Sequence, residues 1–224
     1  MNKLVIPREL NQNAPGVQAM GTPTETGQRL LEHMARRFGR GSLDSLDVLD
    51  FGCGTRFTEA IVNSQIPIGS YVGIDTQPNV VQFLSQNVHD PRLSFHHFNA
   101  YNALYNRGGF VMTEDTPLPV GDKQFDVICM FSVITHQVPD DSLRIFKILR
   151  RYVKRSGGLF FTADVRDDFD VYTEEIPDIP VQLSAYPLEL LARLLRLAGW
   201  HVRSLEPRTI DGLPMMESFL CVPI

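Results

Sequence analysis

The sequence predicts an α/β fold, a doubly wound, mostly parallel sheet with helices on both faces. Three observations carry that expectation. Strand-like and helix-like segments alternate along most of the chain. Two strand-like runs, "FDVICMF" and "GLFFTADV", are apolar almost throughout, as suits strands buried on both faces of a parallel sheet. A third run, "VLDFGCG", ends in two glycines that open onto helix-compatible sequence. In such sheets ligands sit at the carboxyl ends of the strands.

The elements follow in order. Residues 1–23 read as a polar extension containing Pro and Gly, and residues 24–224 as one domain. "TPTETGQRLLEHMARRFG" places Leu30, Leu31, Met34 and Phe38 at helical spacing, with Thr24 as the expected cap and Gly39 as the stop. "LDVLDFG" reads as a strand and "FTEAIVNS" as a helix. "YVGID" and "NVVQFLSQNV" repeat that pair, and "LSFHHF" is a third strand. Residues 99–124 are loop-like. "FDVICMF" is followed by "DDSLRIFKILRRYVKRSGG", a helix with acid at its start and base near its end, the order that complements its dipole. After "GLFFTADV" comes "YPLELLARLLRLAG", a helix with Pro in its first turn and Gly at its end. "WHVRSLE" and "ESFLCVPI" close the chain as two strands.

Composition narrows the function classes. The 224 residues, 43% hydrophobic, suffice for a large core. A net charge of −5 and a pI of about 5.7 speak against a broad nucleic-acid surface. Cys53, Cys129 and Cys221 are odd in number and far apart, which suggests reduced thiols in a cytoplasmic protein rather than disulfides or a zinc cluster. The first residues do not resemble a signal peptide, and no apolar run approaches the ~18 residues of a membrane span. Neither nucleic acid nor membrane is an expected partner, and the sequence carries no mark of a particular oligomeric state.

The glycine loop holds the functional content. Gly52 and Gly54 allow positive φ and close approach of a ligand. Asp75 ends the second strand, placed to accept hydrogen bonds from both ribose hydroxyls of an adenosine. A plain β–α turn with a solvated Asp75 is the simpler reading, but loop and acid together are more specific than either. A dinucleotide fingerprint would need glycine where Phe57 stands, because a bulky side chain crowds a pyrophosphate at the helix start. S-adenosylmethionine has no phosphate, and Asp50 before the first glycine can meet its ammonium directly or through water.

With Asp50-Phe51-Gly52-Cys53-Gly54 and Asp75 in place, the chain resembles the class I S-adenosylmethionine-dependent methyltransferases. "PLPVGDKQFDVICMFSVITHQVPDD", "LRRYVKRSGGLFFTADV" and "YPLELLARLLRLAGWHV" resemble later segments of that family in the same order, with Ser156 where a proline is usual. "SVITH" together with "NALYN" is similar to a bacterial branch reading "SVFTH" and "N..YN". The resemblance implies a seven-stranded sheet of order 3-2-1-4-5-7-6 with the seventh strand antiparallel. It implies S-adenosyl-L-methionine as cofactor. Asp50, Gly52, Cys53 and Gly54 would line the methionine end, and Asp75 would hold the ribose. Thr76, Gln77, Asn99 and Ala100 would flank the adenine, with Phe131 and Ser132 beside the methionine part. The usual third glycine is Arg56 here. Either the loop is shortened, or an arginine lies beside the cofactor or turns to solvent.

Methyl transfer from a sulfonium depends chiefly on alignment, and a base is needed only for an acceptor that holds its proton. His136, after the fourth strand, is the candidate catalytic base; ordering its loop is the competing role. His96 and His97 are adjacent, so they face opposite ways on a strand and do not suggest a shared metal. No metal is expected. Cys53 reads as a small loop residue. Tyr101 and Tyr105 either wall a substrate pocket or fold their loop down. "ADVRDDFDVYTEEIPD" holds seven acidic residues: a lid over a cationic acceptor, a carboxylate metal site, or a solvated loop. The function these features indicate is methyl transfer to an O or N atom of a small-molecule or glycan-type acceptor. The alternative is a non-catalytic binding protein that keeps the fold, which Arg56 favours.

Overall fold

The computed structural model describes residues 3–11, 20–166, 168, 171–174, 176, 179, 181–207, 209–210, 213–214 and 216–224. Seven strands form the spine of one sheet: β1 (Leu43–Phe51), β2 (Ile68–Asp75), β3 (Leu93–His97), β4 (Phe125–Met130), β5 (Val153–Val165), β6 (Trp200–Glu206) and β7 (Glu217–Pro223). Their order is 3-2-1-4-5-7-6. β1 pairs in parallel with β2 and β4, as do β2 with β3 and β4 with β5, whereas β7 runs antiparallel to both β5 and β6. The expected architecture is therefore present. The sheet is larger than expected by two short strands, Thr173–Glu174 and Ser184–Tyr186, annexed at the end of β5. Segments of two and three residues are too short to show a period.

Five helices cover the sheet: α1 (Pro23–Arg37), α2 (Arg56–Ser64), α3 (Pro78–Asn87), α4 (Pro139–Arg150) and α5 (Leu188–Leu197). Alternation along each strand sorts the core into two layers. Val48, Tyr71, Val127 and Phe160 pack with Leu30, Leu31 and Met34 of α1 and Phe57 and Ile61 of α2. Leu49, Ile128, Phe161 and Phe219 pack with Ile145, Phe146 and Leu149 of α4 and Leu191 and Leu195 of α5. α1 and α2 cross so closely at Gly27 that a Cβ there would stand 2.9 Å from the Ala60 Cβ.

Three local expectations are corrected. The cap of α1 is Thr22, not Thr24: Thr22 Oγ1 accepts from Glu25 N at 3.2 Å while the Glu25 carboxylate accepts from Thr22 N at 2.9 Å. Pro23 then takes the first helical position, where its missing N–H costs nothing. The Thr24 hydroxyl instead donates to Glu59 of α2 at 3.1 Å. Second, the helix before β5 ends at Arg150, and the strand takes over at Val153, in the middle of "YVKRSGG". Lys154 is held in the extended chain by donating to Asp47 and Asp126, each at 2.8 Å. Third, the lead-in is not wholly polar in role. Leu4 and Leu10 are buried with Cys53, Val80 and Leu84, and Leu4 exchanges two hydrogen bonds with the Asn63 side chain.

Candidate functional site

At the carboxyl ends of β1, β2 and β4 a cavity of about 840 Å³ opens, within the range of small-molecule sites. β1 delivers Asp50 and the glycine loop, β2 delivers Asp75, Thr76 and Gln77, and β4 runs into Phe131, Ser132 and Val133, all of which line it. Gly52 (φ +75°) and Gly54 (φ +48°) both occupy the left-handed region. A Cβ on Gly52 would strike Val133 at 2.5 Å, whereas a Cβ on Gly54 would have no neighbour within 4 Å.

The two carboxylates differ. Asp75, buried, accepts from Gly54 N through Oδ2 and from Gln77 N through Oδ1, each at 2.9 Å. Each oxygen keeps a lone pair for a ligand. Burial raises the Asp75 pKa, while the bonds from Gly54, Gln77 and Thr76 oppose the rise. Asp50 points to the α1–α2 face of the sheet. There it accepts from the Tyr71 hydroxyl at 2.6 Å and lies beside Cys129, its register partner on β4. Burial pushes Asp50 up to about 7 against those two hydrogen bonds.

Arg56 is the first residue of α2 and lines the cavity; its stem lies against Gly27 of α1. Burial lowers its guanidinium to about 10, so it remains charged at neutral pH. Phe57 next to it turns inward and meets Phe131 edge to face, ring centroids 4.8 Å apart. The position where a dinucleotide loop needs glycine is thus filled by a core ring.

His136 lies in a 3-10 turn, Ile134–His136, beyond β4. Its Nδ1 is 3.0 Å from the Val181 carbonyl, which only accepts, so Nδ1 carries the proton. In the neutral ring Nε2 is then an acceptor, and it faces the Tyr105 hydroxyl at 3.3 Å. Burial lowers the His136 pKa, opposed by its bonds to the Val181 and Gln182 backbone.

Of the twelve residues expected at the site, eleven line this cavity: Asp50, Gly52, Cys53, Gly54, Asp75, Thr76, Gln77, Ala100, Phe131, Ser132 and His136. Asn99 lies outside it, exposed, with its side-chain oxygen accepting from Asn106 at 2.9 Å. Sequence reasoning missed Asn102, Val133, Thr135, Gln137, Gln182 and Met216, which also line the cavity. Thr135 Oγ1 is buried there with no protein hydrogen-bond partner, a polar atom left for a ligand or water. Tyr101 and Tyr105 both line the cavity. His97 is engaged with the Thr76 carbonyl at 3.1 Å.

In the acidic segment, Asp164 pairs with Arg166 at 3.3 Å and Glu174 accepts from Tyr172 at 3.3 Å. Among its described residues only Ile176 lines the cavity; residues 167, 170, 175 and 178, where further acids fall, lie outside the described residues. Among the described residues no group of three His, Cys, Asp or Glu side chains is arranged for a metal. No described helix is long and apolar enough to cross a membrane.

A family model described as a methyltransferase domain matches residues 18–205. Among solved structures, the chain is similar to the glycopeptide N-methyltransferase MtfA, with a TM-score of 0.63 and 14% identity over 96% of this chain and 100% of that one. MtfA complexed with S-adenosyl-L-methionine gives 0.61 and 13% over 88% and 94%. The mitomycin 7-O-methyltransferase MmcR gives 0.58 and 16% over 93% of this chain but 56% of that one. A TehB-like SAM-dependent methyltransferase from Corynebacterium glutamicum gives 0.55 and 13% over 88% of each.

Proposed function

This chain belongs to the methyltransferase-domain family, and from that premise we propose that it transfers a methyl group from S-adenosylmethionine to an O or N atom of a small-molecule or glycan-type acceptor. The observation that carries the reading is Asp75, whose two oxygens are fixed by backbone N–H groups of the glycine loop and of Gln77 with lone pairs left over. That is the arrangement an adenosine ribose requires.

The residues present fit such a cofactor. Gly54 leaves open space where any other residue would place a Cβ. The backbone from Gly52 to Gly54 would admit the methionine end, and Arg56 would meet its carboxylate in a charge-assisted contact. Thr76, Gln77 and Ala100 would bound the adenine, and Phe131 and Ser132 the methionine part. Asp50 acts from beneath the loop, its carboxylate engaged with Tyr71. When bound, S-adenosylmethionine supplies a methyl group activated by a positive sulfur. The chain's part is to align an acceptor with it, exclude water and take up a proton where the acceptor has one to lose.

Calorimetric titration with S-adenosylmethionine tests the reading, with saturable binding expected at micromolar concentrations. Absence of heat at millimolar cofactor would leave the non-catalytic binding protein as the better account.

A further inference from the structure

His136 and Tyr105 come from separate loops, and hydrogen bonds from Asn102 brace them together. Their rings meet edge to face, centroids 5.2 Å apart at 89°. Asn102, 6% exposed, ties one loop to the other. Its amide donates to the His136 carbonyl at 3.0 Å, and its oxygen accepts from Leu104 N and Tyr105 N at 2.9 Å each. On the other side the buried Tyr186 hydroxyl donates to the Gln137 carbonyl at 2.6 Å. The Val181 carbonyl that sets the histidine tautomer belongs to a β-branched residue held at φ +55°, a conformation such residues seldom adopt. Three segments thus converge to point the lone pair of Nε2 at the Tyr105 hydroxyl inside the cavity.

The walls narrow the acceptor. Leu104, Ile176, Leu183 and Met216 contribute apolar surface. Among the described residues the only carboxylates lining the cavity are Asp50 and Asp75, both committed to the glycine loop or the strand beneath it. An alkylamine arrives as an ammonium ion and seeks a carboxylate, which the described residues of these walls do not offer beside His136. A neutral hydroxyl on an apolar body needs a base and finds one.

We propose, resting on the methyltransferase reading above, that Tyr105 and His136 are the acceptor-activating pair and that the acceptor is an uncharged hydroxyl compound with an apolar body, of which a phenol is the simplest example. The acceptor O–H donates to the Tyr105 oxygen while the Tyr105 O–H donates to His136 Nε2. The acceptor oxygen bonds to the methyl carbon as the carbon–sulfur bond breaks, its electron pair going to sulfur, which departs as a neutral thioether. The acceptor proton moves to Tyr105 as the Tyr105 proton moves to Nε2. The products are an ether and an imidazolium whose Nδ1–H keeps its bond to Val181.

The test uses the full chain, first titrated with S-adenosylmethionine. It is then assayed for transfer of labelled methyl to naphthols and to naphthylmethylamines, which share one apolar body and differ in the acceptor atom and its charge. Transfer to the naphthols is expected. Tyr105→Phe keeps the ring and should lower kcat on them about 10²-fold at neutral pH. The loss should shrink as pH rises toward ionisation of the naphthol. It should be absent for a naphthol made acidic by electron-withdrawing groups. Ligand-observed NMR should also show 2-naphthol binding several-fold more weakly to cofactor-free Tyr105→Phe than to the parent. Cofactor binding with transfer only to the naphthylmethylamines, or to neither set, overturns the proposal alone, as does a Tyr105→Phe loss that ignores pH. Failure to bind cofactor overturns the methyltransferase reading and the proposal with it.

Discussion

Tyr71 donates its hydroxyl to Asp50 at 2.6 Å, and both side chains are buried. The pair joins β1 to β2 on the face covered by α1 and α2. It also fixes the carboxylate that precedes the first glycine. The same burial makes Asp50 hold its proton in the folded chain up to a pH near 7, against 3.8 for the free side chain.

Stability should therefore carry a pH signature. Between those two values the folded state keeps a proton that the unfolded chain has released, so stability falls as pH rises through the window and levels off above it. Asp50→Asn retains an acceptor for Tyr71 and removes the titration. Relative to this variant, the parent should lose up to about 4 kcal/mol between pH 4 and pH 8, from a pKa raised from 3.8 to about 7. Urea denaturation of both proteins across that range measures it; parallel curves would show that Asp50 ionises freely.

Asp75→Asn should separate cofactor binding from folding. The amide keeps one acceptor oxygen but loses the charge and presents an NH2 to one of the two backbone donors, Gly54 N or Gln77 N. Bonds to a charged group contribute about 1.5–3 kcal/mol, so affinity for S-adenosylmethionine should fall roughly 10- to 100-fold. Calorimetry measures the affinity, and circular dichroism checks that the fold persists. Unchanged affinity would remove Asp75 from the ribose site.

The cofactor half of this site was legible because its signals are local. A strand, two glycines and an acid at the next strand's end are covalently close and constrained by backbone geometry. The two-layered sheet was legible because apolar periodicity is enforced by burial along each strand. The rest of the cavity was legible only in part: His136 and a pocket-walling role for Tyr105 could be read, but not the residues that gather around them. Asn102, Tyr105, Gln137 and Gln182 sit in three loops that meet only in the folded chain, and each is an unremarkable polar residue where it stands. Tyr105 is read from sequence as either a pocket wall or a loop-folding ring; its partner Nε2 lies 31 positions away. The Thr22 cap, by contrast, is legible, because Thr22-Pro23-Thr24-Glu25 has the spacing of a capping box with Pro at the first helical position.

The two glycines of the loop should fail differently. Gly52→Ala meets strain at φ +75° and a collision with Val133. Together these should lower stability by about 2–4 kcal/mol. Gly54→Ala meets open space, so it should cost only about 1–2 kcal/mol of left-handed strain. Its methyl group, however, projects where the cofactor would lie. Thermal melts should rank Gly52→Ala below Gly54→Ala, while calorimetry should find Gly54→Ala at least tenfold weaker for S-adenosylmethionine. A Gly54→Ala protein with parental affinity would show that the cofactor passes elsewhere.

Arg56 stands where the family resemblance calls for glycine, and its position makes a specific claim testable. It opens α2 at the crossing with α1, its stem against Gly27, and its side chain lines the cavity. Burial lowers its pKa to about 10, which leaves it charged throughout the physiological range. If the methionine end of the cofactor lies beside it, a buried cation there would select for a carboxylate. Arg56→Ala should then weaken S-adenosylmethionine about tenfold or more, by the strength of a charged hydrogen bond. It should leave binding of decarboxylated S-adenosylmethionine unchanged. Arg56→Lys keeps the charge without the planar fork and should fall between. The effect should be flat from pH 6 to pH 8, because the guanidinium does not titrate there. Equal weakening of both ligands would mean that Arg56 supports the helix crossing through packing, and tighter binding of S-adenosylmethionine by Arg56→Ala would mark the arginine as an obstruction in the loop.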